Sequence, residues 1–291
     1  MSTTNHGEYF IPEPSKWPVV GTIALTTTVI GAVTSLHGDS ISWILPVGFL
    51  LIAYLFYGWF GTVIDESMAN NYNDQVDRSF RIGMLWFIFS EVMFFAAFFG
   101  ALYYARMIAV PWLGGASNNA MTNELLWPGF QAVWPLLTNP DNAIYTAPEK
   151  AMAALGLPAI NTALLLSSSV TITLAHHALR AGHRKPLTYW LAATVVLGVT
   201  FLFFQVEEYF EAYNEMGLTL ASGIYGSTFF LLTGFHGFHV TMGATMLTVM
   251  LVRVIKGHFT PEKHFAFEGV AWYWHFVDVV WLGLYIFVYW L

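Results

Sequence analysis

Residues 81–107 read RIGMLWFIFSEVMFFAAFFGALYYARM, an apolar run carrying one carboxylate, Glu91, close to its middle. A helix rises about 1.5 Å per residue and a bilayer core is about 30 Å thick, so a run of this length spans the membrane with Glu91 near the midplane. A charge at that depth is costly, which makes an intramembrane acid a candidate functional group from the outset. Phe87, Ile88, Phe94 and Phe95 stand three or four residues from it, whereas Ala96, Ala97, Gly100 and Ala101 fall on roughly the opposite face. The pattern predicts an aromatic face that holds the acid and a small-residue face that a further helix can approach closely. Two roles for Glu91 stand open, a proton carrier and a structural hydrogen-bonding group. In the second role its partner would be His236, His239 or a backbone carbonyl of an adjacent helix.

The rest of the composition agrees with a membrane-embedded chain. Of 291 residues, 56% are hydrophobic, 18% aromatic and only 10% charged, the profile of an integral membrane protein. Cysteine is absent, which excludes disulfides, thiolate metal sites, iron–sulfur clusters and covalently attached haem. A net charge of −7, with the 11 Lys and Arg dispersed along the chain, offers no basic stripe for nucleic acid.

Outward from residues 81–107, the chain resolves into seven apolar runs. Residues 1–16 are polar and contain Pro12 and Pro14 without the basic start of a removable signal peptide, so they read as a cytoplasmic tail. Runs at 17–36 and 41–64, separated by a polar break at 37–40, read as a two-helix hairpin within 17–64. A charged inner loop follows at 65–79, and the Glu91 helix is expected over 80–108. Prolines 111, 128, 135, 140 and 148, interspersed with Trp112, Trp127 and Trp134, mark 109–151 as an outer segment at the membrane interface. Residues 152–291 hold the fourth to seventh helices, at 155–179, 187–210, 224–254 and 267–290. Glu207 and Glu208 fall near the exit of the fifth. The fold class is therefore all-α, a polytopic membrane protein of seven transmembrane helices.

Orientation follows from the cations. With the N-terminus inside, nine of the Lys and Arg are internal and only Arg106 and Lys150 are external, so the N-terminus is placed in the cytoplasm and the C-terminus outside. Other polar groups lie within the spans. His236 and His239 share a face of the sixth helix at i and i+3; they could ligate metal or haem, but on a glycine-rich helix the stronger reading is hydrogen bonding to neighbouring helices. His275 and Asp278 also stand at i and i+3, where the acid is expected to accept from the imidazole.

Five stretches then carry a resemblance: IFSEVMFF at 88–95, TLAHHAL at 173–179, YGSTFF at 225–230, GFHGFHV at 234–240 and WYWHFVDVVWL at 272–282. In this order, over most of the chain, they resemble subunit III of the haem-copper oxygen reductases. Seven helices favour the cytochrome c oxidase branch over the quinol oxidases, whose subunit usually lacks the first two; a seven-helix transporter and a b-type haem protein are weaker alternatives.

The resemblance implies a non-catalytic core subunit of an aa3-type oxidase that reduces oxygen to water and pumps protons. It implies no cofactor or metal bound by this chain, haem a, haem a3 and copper in partner subunits, direct packing on subunit I, association with subunit II, and cytochrome c as electron donor to the complex. It further implies a two-helix and a five-helix bundle separated by a V-shaped cleft filled with phospholipid, in a bacterial inner membrane ahead of a mitochondrial one. The family's lipid-contacting tryptophan falls at Trp59, its phosphate-contacting arginine at Arg253, and its carbodiimide-reactive acid at Glu91. Two departures stand out. Mitochondrial relatives carry a His pair where this chain reads Asn70-Asn71-Tyr72-Asn73, and an aromatic is common where it has Gly283, which is expected to loosen lipid packing along the last helix.

Overall fold

The structure, a computed structural model, describes residues 10–38 and 43–291; residues 1–9 of the expected tail and 39–42 of the first polar break lie outside the described residues. Among those described, helices are α1 (Trp17–Leu36), α2 (Ile44–Met68), α3 (Asp74–Tyr104), α4 (Val110–Leu113), α5 (Ala120–Leu126), α6 (Leu157–Arg180), α7 (Arg184–Glu215), α8 (Ile224–Lys256) and α9 (Phe265–Leu284), with π-helical turns at Ala105–Ala109 and Tyr285–Trp290. Among the described residues, seven helical stretches are long and apolar enough to cross a membrane: 17–36, 44–68, 74–113, 157–180, 184–215, 224–256 and 265–290. The chain divides into two compact units, residues up to 82 and residues from 83 onward.

In the first unit, α1 and α2 pack through glycine. A methyl group at Gly31 would overlap the backbone of Leu45, one at Gly48 would overlap Thr28, and one at Gly58 would overlap the Trp17 indole. Close backbone approach is the way helices associate in lipid, where no hydrophobic force drives them together. Trp17 adds a polar tie, its Nε1–H donating to Thr62 Oγ1 at 3.1 Å. Below α2, Asn70 adopts φ 58°, a left-handed conformation that asparagine tolerates. Tyr72 then donates its hydroxyl to Glu66 Oε2 at 2.7 Å. Burial, helped by that bond to a carboxylate, pushes the Tyr72 phenol above its ordinary range.

The third span is longer than the sequence-based bounds 80–108. Its start moves back to Asp74 because Asn73 Oδ1 accepts from Val76 N–H at 2.9 Å and Asp74 and Asp77 sit in the first turn, where acids are favoured. Its end runs on to Leu113: Pro111 lacks an N–H, and the helix widens to a π turn over Ala105–Ala109 immediately before it.

The second unit is held by seams with heptad spacing. α6 buries Asn161, Leu165, Ser168, Ile172, Ala175 and Leu179; α7 buries Leu187, Leu191, Thr194, Gly198, Phe201, Gln205, Glu208 and Ala212. Both step by alternating threes and fours, the geometry of helices crossing at a shallow angle. α8, between neighbours, is buried on several faces, and α9 carries the largest buried side chains, Trp274 and Trp281. Trp274 lies against Gly198 of α7 and Gly243 of α8 and donates Nε1–H to Ser168 Oγ of α6 at 2.8 Å, so one indole touches three helices. α8 stops at Gly257, φ 79°, a left-handed C-cap that glycine adopts without strain.

Candidate functional site: the intramembrane acid and its neighbours

α3 carries a third seam in the same spacing: Met84, Ile88, Glu91, Phe95, Phe98, Leu102 and Ala105 are its buried or half-buried positions. Glu91 therefore faces the unit's interior by its place in the repeat. Of the partners left open, the structure selects His239 on α8, with Nε2 2.8 Å from Glu91 Oε2. The other imidazole nitrogen, Nδ1, lies 2.6 Å from the Phe235 carbonyl oxygen. A carbonyl only accepts, so Nδ1 carries a proton. The short Nε2–Oε2 contact then holds one proton, whether the acid donates to a neutral imidazole or an imidazolium donates to a carboxylate. Either way the pair has no net charge, which is how an acid is accommodated at this depth.

Aromatic rings enclose the pair. Phe95 meets the His239 ring edge-on at 5.0 Å, Phe94 lies at 5.8 Å, and Tyr273 stacks at 6.4 Å with an interplanar angle of 15°. Phe94 and Phe98 extend the contact to Phe235 of α8, both at 5.1 Å. The expected small-residue face does not take part: among the described residues, apart from its chain neighbours and its own helix backbone, nothing lies within 4 Å of where a methyl group at Gly100 would stand, and Ala96, Ala97 and Ala101 are exposed. Within the unit, α3 is held by the face that carries Glu91 and the aromatic rings.

The remaining polar groups form separate ties rather than one network. His236 is fully buried and donates Nε2–H to Val277 O of α9 at 3.2 Å, between Phe201 and Trp281. His275 and Asp278 depart from expectation. Asp278 Oδ2 is 3.8 Å from His275 Nδ1, too far for a hydrogen bond, because Ser169 Oγ of α6 reaches that nitrogen at 2.7 Å. The tie runs between helices instead of along one. Arg253 is buried at 6% exposure with its guanidinium 4.5 Å over the Phe259 ring, a cation–π contact. Trp59 is 43% exposed on α2. Gly283, expected to leave slack, is filled by Phe99, whose Cζ would stand 3.2 Å from a Cβ there.

Sequence reasoning passed over one further group. Glu208, placed near a helix exit, is fully buried and its Oε1 accepts from the Tyr289 hydroxyl at 2.6 Å. The signal was available in the α7 repeat, where Gln205 and Glu208 occupy successive seam positions between Phe201 and Ala212.

Among the described residues, seven spans tied to one another by internal polar groups define a multi-pass membrane protein. Comparison with known proteins supplies the family. The chain matches Cytochrome c oxidase subunit III over residues 7–128 and 143–291. It is 41% identical over 285 residues to cytochrome c oxidase subunit 3 of Oncorhynchus clarkii, covering 97% of this chain and 96% of that protein. The same subunit of Salmo salar is 41% identical over 283 residues and that of Oryctolagus cuniculus 40% over 283 residues, with the same coverage. The chain belongs to the cytochrome c oxidase subunit III family: a non-catalytic core subunit of the oxidase complex, with other oxidase subunits as its partners. Membership replaces the transporter and b-type haem alternatives.

Proposed function

We propose that this chain stabilises the catalytic subunit of an aa3-type oxidase and that Glu91 acts in it as a structural tie. The observation that carries this reading is the Glu91–His239 bridge, which holds one proton between two elements of the same unit and caps its far end on Phe235 O. A proton carrier needs an exit for its proton, whereas this proton is shared with a ring whose other nitrogen is already engaged. In this reading haem a, haem a3 and copper reside in partner subunits, and subunit I packs directly on the chain. The exposed small-residue face of α3, at Ala96, Ala97, Gly100 and Ala101, fits close approach by a helix that the chain itself does not supply. Subunit II, cytochrome c as donor to the complex, a cytoplasmic N-terminus and a bacterial inner membrane complete the assignment. Phospholipid is proposed at Trp59 and Arg253, for which the exposure of the first is favourable and the burial of the second under Phe259 is not.

The test is Glu91→Gln against Glu91→Ala in the whole complex, reconstituted in vesicles. Glutamine reaches the same distance and its amide N–H donates to His239 Nε2, so turnover and the proton-to-electron ratio stay at wild-type values. Alanine leaves Nε2 without a partner and lowers retention of the subunit in detergent. Loss of pumping in Glu91→Gln, with the subunit at full stoichiometry, would overturn the structural role.

A further inference from the structure

The layer built around Trp274 recurs one heptad further along α6, α7, α8 and α9. Ser168, Gly198 and Gly243 meet at the Trp274 indole; seven residues from these four positions stand Asn161, Gln205, His236 and Trp281. The count runs backward on α6 and α8 and forward on α7 and α9, as antiparallel neighbours require, and moves the layer about 10 Å along the helices by the ~1.5 Å rise. The Trp281 contacts agree with this level. Its Nε1–H donates to Thr162 Oγ1, next to Asn161, at 2.9 Å, and its ring lies 4.8 Å from Phe201, one turn before Gln205, and 5.1 Å from His236. Glu208 follows Gln205 by three residues, and Gln205 lies beside the Tyr289 hydroxyl that donates to Glu208.

The first layer is satisfied by its own side chains and the second is not. Asn161, His236 and Glu208 are fully buried and Gln205 is 4% exposed. Even so, Nδ2 and Oδ1 of Asn161, Nε2 and Oε1 of Gln205, Nδ1 of His236 and Oε2 of Glu208 are in hydrogen-bonding geometry with none of the described residues. Each such buried atom is costly, and a helix bundle in hydrocarbon has no bulk solvent to relieve it. The six atoms are of mixed character. Each amide brings N–H donors and a carbonyl acceptor, whereas the carboxylate oxygen only accepts. His236 gives its Nε2 proton to Val277 O, so its Nδ1 also accepts. A cation would satisfy the oxygens and be repelled by the amide N–H groups. Water donates and accepts at once, which is what the mixed set requires.

We propose that Asn161, Gln205, His236 and Glu208 hold internal water, forming a hydrated layer in the core of the second unit at the level of Trp281. Water bridging these groups ties α6, α7 and α8 together as the Trp274 indole does in the layer before it. A buried water needs two to four polar partners, so the site depends on the amides jointly: removing either one takes away both a donor and an acceptor.

The experiment uses the whole oxidase complex and a density map that shows ordered water elsewhere in the same helices. At least one peak should lie about 2.7–3.2 Å from two or more of the six atoms. Asn161→Leu and Gln205→Met, which replace the amides by apolar groups of similar size, should each empty or shift that peak and lower the temperature at which the subunit leaves the complex. The double variant should lower it by clearly less than the sum, because both changes lose the same water. Ser167→Ala, on the exposed face of α6, should alter neither readout. Three results would overturn the proposal: a wild-type layer without a peak, a peak at about 2.3–2.6 Å ringed by oxygens alone, which is a cation, or strictly additive losses in the two amide variants. The wild-type map decides the matter even if a variant fails to assemble.

Discussion

Trp274 offers the most exacting test of how the second unit is built. A methyl group at Gly243 would stand 2.8 Å from Trp274 Cε3, and one at Gly198 would stand 2.7 Å from Cη2. Carbon atoms prefer about 3.5–4.0 Å, so each alanine asks the indole to retreat by roughly 1 Å, and no free volume receives a fully buried ring. Overpacking of this kind costs about 1–3 kcal/mol. A displaced ring also forfeits the bond to Ser168, and a buried N–H without a partner costs about 1–3 kcal/mol more. Alanine returns about 1 kcal/mol through helix propensity, which leaves Gly198→Ala and Gly243→Ala each destabilising by about 1–5 kcal/mol. The two substitutions are not independent, because one ring answers both and its hydrogen bond is lost only once. The double variant should therefore fall short of the sum by about 1–3 kcal/mol, a coupling typical of residues that share a partner. Trp274→Leu alone should cost about as much as other large-to-small core changes, 3–5 kcal/mol, yet should be neutral or stabilising on the doubly substituted background. The measurement is the temperature at which this subunit leaves the detergent-solubilised complex, across the full set of single, double and triple variants. Strict additivity of the two glycine changes would show that Trp274 is not the common element, and the reasoning would fail.

Three further outcomes are expected. Glu208→Leu should destabilise the subunit by about 1–3 kcal/mol by orphaning the Tyr289 hydroxyl, and adding Tyr289→Phe should recover most of that, since removing both partners of a buried bond is nearly neutral; the same release temperature reads it. In the first unit, Gly31→Ala and Gly48→Ala drive a methyl into backbone across the hairpin, and each should open α1–α2 to limited proteolysis while Gly61→Ala, with open space at its Cβ, should not. Tyr72 has its folded pKa raised by burial and by Glu66, so its contribution to stability is whole below the unfolded value of about 10 and is lost as pH rises beyond it. Protection of residues 69–73, as exchange relative to the intrinsic base-catalysed rate, should fall in that alkaline window in wild type and show no such fall in Tyr72→Phe.

The sequence revealed the spans because crossing a bilayer sets a minimum apolar length, and length is visible without knowing any contact. It revealed less of which face goes where. Soluble helices announce their buried face by contrast with a polar one, but in lipid both faces are apolar, so the α7 seam was hidden among equally hydrophobic neighbours and Glu208 was read as lying near an exit. Glu91 was legible as a site because a lone acid in a long apolar run has no other explanation. Its partner was narrowed to a few groups, and only the reach of a side chain from α8 could choose His239 over His236, one turn away. His275 was paired with Asp278 on helical spacing, yet Ser169 of another helix came closer. The third span's ends were missed for local reasons: an asparagine cap extends its start, and a widened turn carries it past Pro111.

The polar residues on the seams explain why the second unit adopts one arrangement rather than several. Apolar side chains gain little from facing another helix instead of lipid, so they set registry weakly. Glu91 on α3, Ser168 on α6, Thr194 on α7 and His236 on α8 behave differently, because a small rotation of any of these helices would strip a hydrogen bond and present the group to hydrocarbon. Each is thus a registry pin whose penalty for error exceeds its gain when correctly paired. The Glu91–His239 pair is the strongest such pin, since misalignment there would separate two ionisable groups in lipid. With α3 fixed by that pair and its aromatic face, the opposite stripe of Ala96, Ala97, Gly100 and Ala101 is held outward at a defined angle. Under the proposed structural role, the acid would serve assembly at a distance, by orienting a face that it does not itself touch.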